Sequence, residues 1–189
     1  MHGDLFPVGP LHRLFFALRP DARTCAAIEH VAAPLRIVHS RARWIASARY
    51  HMTLLYLGES AGERPGQVTR ALEAADGLTA APFTLTFNRL AALGQPSRPA
   101  LALAADVPDA LRALHEMLRR RCLALGFRLE QAGAALLPHV TIAYTDPKPA
   151  LPTIDAVAWR PDHFELVQSV EGQAEHAVLG RWSLALPDA

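Results

Sequence analysis

Two short segments of this chain share a pattern that restricts both its fold and its chemistry. They are His51-Met52-Thr53-Leu54-Leu55-Tyr56-Leu57-Gly58 and His139-Val140-Thr141-Ile142-Ala143-Tyr144. Each is a β-rich apolar run, bounded by Gly58 in the first case and by Pro138 and Pro147 in the second. Side chains alternate faces along a strand, so His51 and Thr53 share a face, as do His139 and Thr141. By the same rule Tyr56 and Tyr144 fall on the opposite face, where packing is their expected role. Two such strands facing each other would set two imidazoles and two hydroxyls around one pocket. Nine His and nine Thr in 189 residues yield roughly 0.4 His-x-Thr triplets by chance, so a single one would carry little weight. Two of them, each opening an apolar run, point to a shared site.

Elements alternate around these strands. Leu11 to Leu18 reads as a strand, and Pro20-Asp21 turns into a helix from about Ala22 to Leu35. A short strand, Arg43 to Ala46, leads to the motif strand, His51 to Leu57. Pro65 to Ala75 reads as a helix, with Pro at its start and Gly77 past its end. Phe83 to Phe87 alternates as a half-buried strand, with Ala100 to Ala105 as its neighbour. Asp106-Val107-Pro108-Asp109 reads as an N-terminal cap with acidic residues in the first turn of a helix that stops at Gly126, and the Arg119-Arg120-Arg121 run of that helix reads as a solvated face. Leu136 to Tyr144 is the second motif strand, Pro147 to Pro161 a long loop, and Phe164 to Val170 and Val178 to Leu186 the closing strands. The expected fold is α+β: a single domain over residues 1–189 with two pseudo-symmetric lobes. Each lobe is a small, mostly antiparallel sheet with outer helices, and the cleft lies between them.

Composition narrows the function classes. A net charge of +1 excludes a globally basic nucleic-acid-binding surface, so any RNA contact must be a local patch. Lys148 is the only lysine; the basic charge is otherwise arginine, which suits bidentate phosphate contacts. No apolar run is long enough to span a bilayer, and the first residues lack the pattern of a signal peptide. Cys25 and Cys122 sit at apolar positions of helical patterns and read as core residues without a disulfide. The cytoplasm is the expected compartment.

Two histidines suit phosphodiester chemistry because imidazole titrates near neutrality, so one can take a proton while the other gives one. The threonines can donate to non-bridging phosphate oxygens. A metal site would want a third ligand, and the motif segments offer only Glu59 and Asp146 at their ends. No metal and no cofactor is expected.

These motifs resemble those of the 2H phosphoesterase superfamily, defined by two His-x-Thr motifs. Within it the chain is similar to the bacterial RNA 2′,3′-cyclic phosphodiesterase family, also called 2′-5′ RNA ligase. Arg13-Leu14-Phe15-Phe16-Ala17-Leu18 resembles its first strand, and Arg43-Trp44-Ile45 the approach to the first motif. The resemblance implies the same two-lobed fold. It also implies a substrate of RNA or nucleotide 2′,3′-cyclic phosphate, opened to a 2′-phosphate, with ATP-independent 2′-5′ joining as the reverse reaction. Under it His51 and His139 are catalytic, with His139 assigned as base and His51 as acid, and Thr53 and Thr141 bind phosphate. Arg41, Arg43 and Trp44 are candidate RNA contacts. Two departures stand out: Tyr144 falls where family members often carry Arg, and His176, read as a surface histidine in a turn, where they often carry Tyr. No obligate protein partner is evident and a monomer is expected. The alternatives are a non-catalytic RNA-end-binding module and a 2′-5′ oligonucleotide phosphodiesterase.

Overall fold

The apolar positions of the nine strands assemble into two antiparallel sheets in a computed structural model that describes residues 9–129 and 136–185. The elements are β1 (Leu11–Leu18), α1 (Ala22–Val38), β2 (Arg43–Trp44), β3 (Met52–Ala61), α2 (Pro65–Ala75), β4 (Leu85–Leu93) and β5 (Ala100–Ala105). They continue with α3 (Asp109–Ala124), β6 (His139–Tyr144), β7 (Val157–Trp159), β8 (His163–Val170) and β9 (Ala177–Ser183). One sheet has the order β3-β1-β8-β9 and the other β2-β6-β5-β4-β7. Strand β3 is therefore an edge strand, and it approaches β6 where the two sheets meet. The two motif strands lie side by side across that junction.

One core serves both sheets. Phe16, Leu18 and Met52 from the first sheet, Leu101 and Leu103 from the second, and Ile28, Ala71 and Leu114 from the three helices belong to a single buried cluster. Deleting a ring from such a core costs about 3–5 kcal/mol. A smaller cluster of Phe15, Ala17, Val167 and Tyr56 covers the other face of the first sheet, the face that carries His51. No described helix is long and apolar enough to cross a membrane.

Several local expectations change. The 106–109 segment does open α3, with Asp109 in its first turn, but Pro108 takes the N-cap position with no side-chain cap, and Asp106 pairs instead with Arg89 at 2.9 Å. The cause is Pro108 itself, which keeps the residue before it extended and sets the helix to begin behind it. The Pro147–Pro161 loop contains a strand, because Val157 and Trp159 alternate inward and Trp159 stacks on Phe87 at 6.2 Å. Strand β4 starts at Leu85 rather than Phe83 and continues to Leu93 through an irregularity at Asn88. Helix α1 passes Pro34 and ends three residues beyond Leu35; Asp21 caps it by accepting from the Thr24 N–H at 2.7 Å. Cys122 is buried and Cys25 half-buried, both free thiols. In α3, Arg119 and Arg120 pair with Glu116, while Arg121 donates to the Ala74 and Asp76 carbonyls. Leu186, the expected end of the last strand, lies outside the described residues.

Candidate active site

The two motif strands break strict alternation at the same place. On β3, Thr53 pairs with Ala17 but Leu55 pairs with Phe16, so Leu54 is an extra residue. On β6, Thr141 pairs with Ala102 but Ala143 pairs with Leu101, so Ile142 is the extra residue. Such bulges place two consecutive residues against one face. Leu54 and Leu55 both belong to the core, as do Ile142 and Ala143. The next side chain then returns to the cleft face. Tyr56 pairs with Phe15, and Tyr144 with Ala100, each on the same side as its histidine. The expectation that both tyrosines face away from the histidines is therefore corrected, and the repeated unit is His-x-Thr-x-x-Tyr. A second bulge at Leu57 precedes Gly58, whose φ of +121° favours glycine.

The histidines are held in one tautomer. His51 Nδ1 lies 2.8 Å from the Arg49 carbonyl, and His139 Nδ1 lies 2.8 Å from the Leu137 carbonyl. A carbonyl only accepts, so Nδ1 carries the hydrogen in both rings, and Nε2 is left to exchange a proton. Thr53 and Thr141 are half-buried, and neither hydroxyl is hydrogen-bonded among the described residues. Each is free to donate to a ligand.

His51 is enclosed. Its ring tilts against Phe15 at 5.2 Å and meets the edge of His176 at 5.1 Å. Burial pushes its pKa down; the Arg49 carbonyl opposes this, and positive charge on His139, Arg49 and Arg19 adds to the lowering. His176 is not a free surface histidine. Its Nε2 lies 3.2 Å from Arg49 Nη2, an interaction in which the guanidinium donates and the ring nitrogen accepts. Burial first, then His51, Arg49 and Arg19, take its pKa down to about 4, so it is neutral at physiological pH. Arg49 thus braces both rings, one through its carbonyl and one through its guanidinium.

Arg19 follows β1 on the same face. It donates to the Ala48 carbonyl at 3.2 Å and stands 3.9 Å from Glu165. Glu165 is 1% exposed and accepts from Arg181 at 2.6 and 3.0 Å, with His163 Nε2 at 3.2 Å. A buried carboxylate between two arginines fixes where the positive charge of this face sits. Sequence reasoning missed Arg19, Arg49 and His176. For Arg49 no strand alternation could have shown it, because it ends a 3-10 turn, Ser47–Arg49, just before the motif strand.

The remaining candidates separate. Arg43 pairs with Tyr144 across β2 and β6, and its guanidinium sits 4.9 Å over that ring. Arg98, from the β4–β5 turn, approaches the same ring at 6.0 Å. Trp44 faces the other way: it packs on the main core under Arg36. Arg41 is 87% exposed and ion-paired with Asp146 at 3.1 Å. Glu59 is likewise paired with Arg13 at 3.2 Å. Among the described residues no three His, Cys, Asp or Glu side chains converge as metal ligands.

This chain matches a family model and shares its fold with known proteins. The model of the 2′-5′ RNA ligase superfamily matches residues 20–178. An RNA 2′,3′-cyclic phosphodiesterase of Geobacillus stearothermophilus is 34% identical over 105 residues, 53% of this chain and 31% of that protein. The match thus spans about a third of that relative's length. The crystal structure of E. coli LigT complexed with 3′-AMP has a TM-score of 0.74 at 24% identity, covering 94% of this chain and 99% of LigT. LigT has also been solved with ATP and with NADP+. A Thermus thermophilus protein gives a TM-score of 0.73 at 24% identity, covering 93% of this chain and 100% of its own. Identities this low show the shared fold.

Proposed function

Because this chain belongs to the 2′-5′ RNA ligase superfamily, we propose that it is a metal-independent phosphodiesterase that opens RNA or nucleotide 2′,3′-cyclic phosphates to 2′-phosphates. The observation that carries this reading is the pair of imidazoles, both locked with Nδ1 protonated and Nε2 available. His139 Nε2 takes a proton from water as the water oxygen bonds to phosphorus. The bond from phosphorus to the 3′ oxygen breaks, and that oxygen takes the proton of His51 Nε2. The Thr53 and Thr141 hydroxyls donate to the non-bridging oxygens, and Arg19 and Arg49 offset their charge. A 5′-hydroxyl in place of water would give a 2′-5′ bond by the same steps.

An acid must be protonated, and the surroundings of His51 by themselves disfavour that. The substrate phosphate removes the conflict. Its negative charge, placed among His51, Arg49 and Arg19, raises the proton affinity of the imidazole it needs. The nucleotides bound by LigT support a nucleotide-sized ligand here.

The test is phosphorus NMR of 2′,3′-cyclic AMP incubated with the protein in excess EDTA. The expected product is the 2′-phosphate at an undiminished rate. A 3′-phosphate would refute the bond assignment. Loss of activity restored by one divalent ion would refute metal independence, and binding without turnover would favour an RNA-end-binding module.

A further inference from the structure

A cavity of about 560 Å³ lies at the far end of β3, where Tyr56 and Glu59 face Arg64, Gln67, Arg70 and Arg128. Three guanidinium groups meet one carboxylate there, and that carboxylate is already engaged by Arg13. Arg70 is fixed in place. It donates to the Gly66 and Leu125 carbonyls at 3.2 and 3.3 Å and lies 5.3 Å over the Phe127 ring. Arg64 and Arg128 are exposed, and among the described residues neither has a carboxylate partner.

A second feature favours negative charge at the same place. Helix α2 begins in the cavity wall: Arg64 is its N-cap residue, and no side chain caps the first turn. Pro65 has no N–H, and the Gln67 and Val68 N–H groups are bonded to the Arg64 carbonyl, so the Gly66 N–H and the positive end of the helix dipole add to the arginine charge.

The cavity also has a fixed relation to the cleft. Tyr56 belongs to both, lining the cavity and sharing the face of His51 and Thr53. From Thr53 to the Tyr56–Gly58 stretch is roughly 10–16 Å at about 3.3 Å per residue. At about 3.4 Å per nucleotide along a stacked strand, that is the length of roughly three to five nucleotides. A 2′,3′-cyclic mononucleotide has its one phosphate at the histidines and no second one to place there; a strand does.

We infer that this cavity holds a backbone phosphate of the RNA strand whose cyclic end occupies the histidine pair. The inference rests on the phosphodiesterase reading and makes the substrate an oligonucleotide end. Arg64 and Arg128 supply bidentate contacts to the phosphate, and Arg70 the fixed wall behind it.

The experiment uses the Arg64→Gln, Arg128→Gln double variant, both positions being exposed and outside the catalytic set. kcat/KM is measured on 2′,3′-cyclic AMP and on a hexaribonucleotide ending in a 2′,3′-cyclic phosphate, at low and moderate salt. A parallel arm follows binding of the 2′-phosphate-ended hexamer by fluorescence anisotropy. The mononucleotide value is expected to stay unchanged while the hexamer value falls at least tenfold. The slope of log affinity for the hexamer against log salt should shrink by about 0.7 for each phosphate no longer neutralised. An unchanged hexamer value, or equal losses on both substrates, would overturn the inference while leaving the phosphodiesterase reading intact. Should neither substrate turn over, that reading fails, and the binding arm still decides the cavity: a tenfold weakening supports it and an unchanged affinity overturns it.

Discussion

The strands β3 and β6 carry one motif in two settings. Both present His-x-Thr-x-x-Tyr to the cleft, both bulge after the threonine, and both fix the imidazole through a carbonyl two residues back. The settings then diverge. His51 is walled by Phe15 and His176 and sits near Arg19 and Arg49, and burial lowers its pKa. The cross-strand neighbour of His139 is Ala104, which brings neither a ring nor a charge. The tyrosines differ as well: the Tyr56 hydroxyl donates to Glu59, whereas Tyr144 lies under Arg43 and Arg98. Under the proposed mechanism the repeated motif supplies two proton carriers, and their neighbours make them inequivalent. An acid and a base need that difference.

The largest effect that would break the comparison is loss of either ring. His51→Ala or His139→Ala should each lower kcat/KM on a cyclic phosphate by about 10²- to 10⁴-fold without unfolding the protein. Thr53→Ala or Thr141→Ala should cost about tenfold, one hydrogen bond each. Steady-state kinetics beside circular dichroism would check both; near-normal turnover in the double histidine variant would end the assignment.

Next comes the support behind His51. Glu165→Ala leaves Arg19 without its carboxylate and should destabilise the fold by about 2–3 kcal/mol, read from urea unfolding. That is below the roughly 3–5 kcal/mol typical of broken buried pairs, because Arg181 is 61% exposed and can rehydrate. A cost below about 0.5 kcal/mol would show that Glu165 does not organise this face.

A smaller effect sharpens the contrast through pH. The folded pKa values of His51 and His176 lie below the ordinary imidazole value, so the unfolded chain binds more protons as pH falls through about 6.5. Stability contributed by these neutral rings is present above that pH and is lost on acidification, down to about 4 for His176. The Tm should therefore fall between pH 6.5 and 4, and His176→Phe, which keeps a ring beside His51, should fall less. Parallel Tm curves for the two proteins would contradict this.

The motif strands, β1, α2 and β5 were legible as apolar runs bounded by Gly and Pro, and α2 runs from Pro65 to Ala75 as expected. Leu54 and Ile142 were not legible as bulges, because an extra residue shows only against the partner strand. That single slip is what moved both tyrosines to the wrong face. Strand β7 was hidden by the prolines around it, although its inward residues, Val157 and Trp159, are apolar. His176 lies 125 residues from His51 in the chain, and only the β8–β9 connection brings them together. The arginines beside the site were hard to tell apart because arginine is common throughout. Whether one lines the cleft, like Arg43, or pairs with an aspartate, like Arg41, depends on register and distance.

The inequivalence of the two histidines is tested most directly by a cyclic phosphate whose 3′ leaving group departs without protonation. Each single variant is assayed on it and on the ordinary substrate. The environment of His51 and its placement as the acid predict that the activated substrate largely restores His51→Ala and leaves His139→Ala defective, since water must still be deprotonated. Restoration of His139→Ala instead would contradict the assignment and make His51 the base.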